Sequence, residues 1–396
     1  MTGPVTTYLE LGLALGRHVE GLVDAYYGPA ELAERAAAAP LVPPADLVRR
    51  ATELLESIDA GDAEDGEALD DTRRRWLRAQ AKGLRTTARV LAGEQLGYAE
   101  EVEACYGVAP RRQDEEVFAA AHRRLDEVLP GSGPVADRYI AWRESQAVPV
   151  DRLEGAIRSL ADDLRQRTSS MFGLPAGEQV DFELVTNQPW AGFNYYLGGL
   201  RSRVAVNTDL PVLSTSLAHL VAHEAYPGHH TEHSRKEVGL VRSRRLLEET
   251  IFLVGTPQCL LAEGLADLGL EVVMGQRPES AVADHLRPLG VPYDAEVVAA
   301  VATAGEDLGY VRANAAFMLH ADGVDPEAVV DYLARWSLLP RPRAQKSVSF
   351  LLDPTWRAYI TCYIEGFRLC RRFVAGQPER FGRLITEQLV PEDLAA

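Results

Sequence analysis

The 396-residue chain contains no uninterrupted apolar run approaching the roughly eighteen residues that a membrane-crossing helix requires. Its start, MTGPVTTYLELGLALGRH, has no basic flank ahead of an apolar segment, and Glu10 interrupts the only candidate run, so no secretory signal is expected. Cysteine is sparse: Cys105, Cys259, Cys362 and Cys370 are scattered without zinc-type spacing. That pattern fits a reduced, cytoplasmic setting in which each is a small buried apolar residue. Basic charge is also short, 41 Lys and Arg against 58 Asp and Glu for a formal charge of -17, so nucleic acid and anionic membrane are not expected partners. Internal repeats and low-complexity tracts are absent, and no stretch is biased enough to serve as a linker between independent domains.

What is present is helix. Ala, Leu, Glu and Arg at helical period predict helices over Val5 to Tyr26, Pro44 to Ile58, Asp71 to Gly93, Asp114 to Leu129, Val150 to Phe172, Thr215 to Tyr226, Thr256 to Met274, Asp294 to Leu319, Pro326 to Trp336 and Pro354 to Val374. The acidic stretch DAGDAEDGEALDD, Asp59 to Asp71, is expected as a solvated loop. Residues 181–211 are the exception: DFELV and SRVAVN carry β-favouring residues around a Gly- and aromatic-rich connection. The expected fold class is therefore mainly α. It is read as one helical domain over 1–396, with an N-terminal helical part (1–180) and a second part (181–396) that opens with a short sheet at 181–211.

Directly after that sheet comes VAHEAYPGHHTEH, Val221 to His233, in a region holding five of the nine histidines. Ser214 or Thr215 is placed to cap a helix whose Leu217, Leu220 and Val221 form a buried stripe. His223 and Glu224 read as the first half of HExxH, in which two histidines four apart bind zinc and the glutamate handles a proton of water. The spacing then departs. On an unbroken helix His229 lies about 240° and about 9 Å beyond His223, and His230 about 10.5 Å beyond, too far to share an ion whose ligands lie within about 2.1 Å.

Pro227 lacks an N–H and turns Tyr226 out of helical angles, and Gly228 is free to adopt positive φ. If the two bulge outward, the remaining order His223, Glu224, Ala225, Tyr226, His229 has HExxH spacing. The expected metal pair is His223 with His229, ahead of His223 with His230. His219 with His223 and His229 with His233 are further pairs four apart.

A third ligand is expected downstream. Thr256-Pro257 opens a helix, CLLAEGLADLGLEVV, in which Glu263 sits within an apolar run. A carboxylate there is costly to bury unless it is paired or bound to metal. Gly264 beside it admits another backbone or a ligand, and Asp267, one turn on, is placed to orient a ligating histidine. One Zn2+ is the expected cofactor, on ligand type.

HEAYPGHH, followed about thirty residues later by AEGLADLGLE, resembles the HExxPGHH and EGW signatures of the bacterial domain-of-unknown-function 885 family. Those proteins are similar in fold to zinc carboxypeptidases of the carboxypeptidase Taq type, so the resemblance implies a helical, gluzincin-like metallopeptidase. Arg312 and His320 in RANAAFMLH, and Tyr363 and Gly366 in DPTWRAYITCYIEGF, match further family elements, and the matches span Asp181 to Val374. The chain departs from the pattern at Leu265, Thr231-Glu232 and Ala316, positions expected to line the site.

The implied activity is hydrolysis of an amide bond in a short peptide, with Glu224 as general base. Tyr363, then His320 or His230, are candidate donors to the developing oxyanion. Arg312 is a candidate partner for a substrate carboxylate, and the strand from Val204 to Asn207 a candidate to align a substrate backbone. A non-catalytic metal-binding scaffold, and a hydrolase of a non-peptide amide or specialised metabolite, are the alternatives.

Overall fold

The structure, a computed structural model, describes residues 3–64, 67–188 and 190–395. It is mainly α. The N-terminal half contains α1 (Pro4–Gly16), β1 (Val23–Tyr26), α2 (Ala30–Ala38), α3 (Pro44–Ala60), β2 (Ala63–Glu64), β3 (Glu67–Ala68), α4 (Asp71–Leu91), α5 (Tyr98–Tyr106), α6 (Glu115–Val128), α7 (Val135–Ser145) and α8 (Val150–Phe172). There follow β4 (Gln179–Val185), β5 (Gly192–Gly198), β6 (Arg201–Asn207), α9 (Ser214–Glu224), α10 (His229–Lys236), β7 (Ile251–Leu253) and α11 (Pro257–Met274). The remainder is α12 (Glu279–Leu286), α13 (Ala295–Gly305), α14 (Val311–His320), α15 (Pro326–Trp336), α16 (Arg341–Leu352), α17 (Phe367–Val374), α18 (Pro378–Leu384) and α19 (Pro391–Leu394), with a π-type turn at Cys362–Gly366 ahead of α17. No helix among the described residues is long and apolar enough to cross a membrane.

Several sequence expectations need correction. The helix predicted over Val5 to Tyr26 stops at Gly16, and Val23–Tyr26 pairs antiparallel with β7. Local propensity gives way there to a strand partner more than two hundred residues away. The acidic stretch is not only a loop, since β2 and β3 pair within it, with Asp65 and Gly66 outside the described residues. Glu64 reaches from that hairpin to accept hydrogen bonds from Val5 N (2.8 Å) and Thr6 Oγ1 (2.8 Å), a carboxylate on the first turn of α1. The predicted Asp294 to Leu319 helix is interrupted by a 3-10 stretch at Glu306–Tyr310, and Pro354 to Val374 becomes regular helix only from Phe367. Ser214 begins α9 without capping it, because its hydroxyl donates to Pro292 O (2.7 Å).

The small sheet has the order β4-β6-β5, with β4 parallel and β5 antiparallel to β6. Both predicted strands form, but the connection between them supplies a third, and this puts SRVAVN in the centre. Val204 pairs with Phe182 on one side and Asn194 on the other, so the Val204–Asn207 segment has no free edge for a substrate. The edge strands are β4 and β5.

Two apolar clusters hold the body together. The larger joins the N-terminal helices to α11 and the C-terminal helices, and the other groups α8, β6, α9 and α12. α11 packs against α9, α17 and the Cys362–Gly366 turn. The last contact explains Gly264: a Cβ there would lie 2.3 Å from both Gly366 C and Gly366 O. Backbone cannot yield as a flexible side chain does, so Gly264→Ala is expected to destabilise the fold by about 3 kcal/mol. Thermal unfolding checks this, and an unchanged midpoint would mean the two backbones are less tightly apposed.

Candidate metal centre

α9 ends at Glu224 and α10 starts at His229. Between them Ala225 leaves helical angles (φ -121, ψ -82), and the Tyr226–Pro227 peptide is cis. Gly228 N donates to Ala222 O (2.9 Å), and Thr231 donates to Ala225 O through both its N–H (3.2 Å) and its hydroxyl (3.1 Å). These bonds take up carbonyls that the break would leave open. The expected outward bulge of one helix is therefore replaced by the end of one helix and the start of another. Positive φ is not what Gly228 supplies, as its φ is -74. A Cβ at Gly228 would lie 1.9 Å from the His223 carbonyl oxygen, so the residue serves close approach.

The break brings three donors together. His223 Nε2 lies 3.1 Å from His229 Nε2 and 3.4 Å from Glu263 Oε2, and His229 Nε2 lies 3.3 Å from Glu263 Oε1. Ligand atoms bound tetrahedrally at zinc distances are about 3.4 Å apart, so the spacing fits such an ion. Glu263 Oε2 is also buried without a hydrogen-bond partner, which a cation would satisfy. The other face of His223 is held by Asp267, whose Oδ1 accepts from Nδ1 at 2.9 Å and also lies 3.4 Å from His219 Nε2. Asp267→Asn is expected to weaken zinc affinity about tenfold or more, read by competition with a chromogenic chelator. No change would show that the imidazole is oriented by packing alone.

Glu224 places its carboxylate within 4.8 Å of the donor nitrogens of His223 and His229. Its backbone oxygen accepts from Asn194 Nδ2 of β5 at 2.6 Å. Burial raises its pKa, opposed by the two histidines and reinforced by Glu263 and Asp267. At Glu263 burial also works upward, but His229 and His223 overcome it and hold that carboxyl below the usual range. The Tyr363 ring lies 6.3 Å from that of His223. Burial and the neighbouring carboxylates push its phenol well up, so it remains protonated at neutral pH.

Other expected site residues lie elsewhere. His230 points away from His223: it is fully buried, with Nδ1 2.8 Å from Ser202 Oγ and Nε2 2.9 Å from Glu178 Oε2. His320 donates Nε2–H to Leu351 O (2.8 Å) and packs on Tyr98. Arg312 is exposed on α14, which packs on α15 and α16, and it makes no ion pair among the described residues. Asn207 uses its amide on Gln188 O and Trp190 O, so neither it nor the buried Val204 presents a group to a substrate. His233 stacks on Tyr196 rather than pairing with His229. The departures at Leu265, Thr231 and Ala316 are all fully buried.

Three residues near the centre escaped the sequence reading. Tyr359 donates to Glu263 Oε1 at 2.8 Å, Asn194 holds Glu224 as described, and Asp24 of β1 has its pKa raised by burial, with the charge of His229 opposing and those of Glu263 and Glu224 adding. Tyr359 lies four residues before Tyr363, a spacing that could have flagged it. Nothing local marks Asp24, which a separate strand delivers.

No family model and no curated protein sequence matches the chain. Among solved structures, a proposed lipoprotein from Colwellia psychrerythraea is 14% identical with a TM-score of 0.51, covering 88% of this chain and 65% of that one. The chain thus spans just under two thirds of that protein's length, and the likeness shows a shared fold alone. A proposed lipoprotein of unknown function from Shewanella oneidensis is 12% identical (TM-score 0.48; 92% and 74% covered). An M32 carboxypeptidase from Deinococcus radiodurans R1 is also 12% identical (TM-score 0.39; 98% and 92% covered).

Proposed function

We propose that the chain is a metal-dependent hydrolase of amide bonds in short peptides, with one zinc ion held by His223, His229 and Glu263. The observation that carries the reading is the convergence of those three side chains from α9, α10 and α11 at 3.1 to 3.4 Å, with an unpartnered Glu263 oxygen among them. When bound, zinc supplies Lewis-acid activation of water and of the scissile carbonyl. Glu224 takes the water proton on its carboxylate and delivers it to the leaving amine. Tyr363 donates its phenolic proton as a hydrogen bond to the developing oxyanion. Asp267 fixes the His223 ring, and Tyr359 holds one Glu263 oxygen. The edge strand β5, tied to Glu224 through Asn194, takes the substrate-aligning role that the central strand β6 cannot fill. A reduced, cytoplasmic setting accords with the four buried free thiols.

The test is cleavage of a short-peptide library by zinc-loaded protein. Activity that a chelator removes and added zinc restores is the expected outcome. A protein that binds zinc stoichiometrically yet cleaves neither peptides nor simple amides would be a metal-binding scaffold instead.

A further inference from the structure

His219 and His223 stand one turn apart on the same face of α9, with ring centroids 5.9 Å apart. Asp267 of α11 sits against both. Its Oδ1 accepts from His223 Nδ1 at 2.9 Å and lies 3.4 Å from His219 Nε2. The first contact is a hydrogen bond. The second is beyond ordinary hydrogen-bond length, and it matches the separation of two ligands on one tetrahedral zinc, about 3.4 Å. A nitrogen from each histidine and an oxygen of Asp267 lie within 4.8 Å of one another, enough to hold an ion. His223 thus belongs to two groups of donors, with Nε2 toward His229 and Glu263 and Nδ1 toward Asp267.

The surroundings leave this outer group open to a cation. The His219 side chain is 47% exposed, so the group meets solvent at that end. Among the described residues no lysine or arginine comes within ion-pair distance of Asp267, whose contacts of that kind are with the two imidazoles. An imidazole and a carboxylate suit zinc rather than magnesium or calcium. While Nε2 of His223 serves the inner centre, its Nδ1 keeps a proton and donates to Asp267. An outer ion therefore draws on His219 Nε2 and Asp267 and completes its shell with water. Two protein donors make a weaker site than three.

We infer that His219 and Asp267 form a second, low-affinity zinc site on the solvent side of His223, through which excess zinc lowers activity. The effect on activity rests on the reading of His223, His229 and Glu263 as a hydrolytic metal centre, whereas the outer site itself does not. A cation on Asp267 competes for the carboxylate charge that the His223 N–H uses. Weakening that hydrogen bond makes His223 a poorer and less firmly oriented donor. Two cations flanking one imidazole also repel each other, which adds to the loss.

The experiment is equilibrium dialysis of the zinc-loaded full chain against rising free zinc, with bound metal counted per chain and peptide turnover followed over the same range. Wild type is expected to hold one tight ion and take up a second, weak one. Turnover should fall as the second binds, and magnesium at the same concentrations should do neither. His219→Ala changes an exposed helix position, so the fold, the tight ion and basal turnover should be kept. Uptake of the second ion and inhibition should both need about tenfold more zinc in that variant. A wild type that stays at one ion per chain throughout would overturn the inference, as would a His219→Ala protein that takes up the second ion as wild type does. If no tight ion is held, the metal-centre reading fails alone, because a weak ion removed by His219→Ala would still define the outer site.

Discussion

Glu224→Gln is expected to reduce peptide turnover by about a thousandfold while leaving zinc content and unfolding temperature close to wild type. The amide matches the carboxylate in shape but cannot take a proton from water, so the change removes one chemical step and little else. Its environment is suited to that isosteric swap. The backbone oxygen of Glu224 stays bound to Asn194 Nδ2 at 2.6 Å whichever side chain is present, and Gly192 leaves its carboxylate space that a side chain would take, since a Cβ there would crowd Glu224 Oε1 at 3.2 Å. The variant is read by kcat/KM on the best peptide found in the library screen, with metal analysis alongside. Full activity with full zinc content would show that another group carries the proton.

The second large effect separates two adjacent histidines. His229→Ala should abolish stoichiometric zinc binding and with it all activity, because two donors remain where three converge. His230→Ala should keep the zinc and lose stability, by about 3 kcal/mol. Its imidazole is sealed in the core between Ser202 and Glu178, and Glu178 also accepts from Tyr226 Oη (2.6 Å) and Arg165 Nε (2.7 Å). Removing one partner leaves a cavity and a less satisfied buried carboxylate, which is a folding penalty without a chemical one. Metal titration and thermal unfolding of the pair decide the assignment. Zinc retained by His229→Ala and lost by His230→Ala would reverse it.

The candidate site was readable where chemistry and spacing coincide within one segment. His223 and Glu224 form the start of a recognisable motif, and Pro227-Gly228 announces an interrupted helix. Glu263 stands out because a carboxylate in an apolar run needs a reason to be buried, and Asp267 follows one turn later on the same face. The misplacements have a common physical origin. His230, His320 and Arg312 are polar residues near motif positions, and whether such a residue faces a cleft or a neighbouring helix depends on how its helix is rotated in the packed body. The Val204–Asn207 strand formed as expected, but its central place depends on β5 forming from a Gly- and aromatic-rich segment with weak strand character.

By itself, then, the sequence determined that the protein is mainly α, that a short sheet precedes a broken histidine helix, and which residue types are candidates to converge in one cluster. These follow from periodicity, breakers and the cost of burying charge, all local properties. The tertiary structure decided which of two adjacent histidines joins His223, because the helix restart after Gly228 sets the direction of each ring. It also decided that β6 is the central strand of the small sheet and that β5 is one of its edges. Those outcomes depend on strand pairing and helix packing between distant segments, which no local pattern encodes.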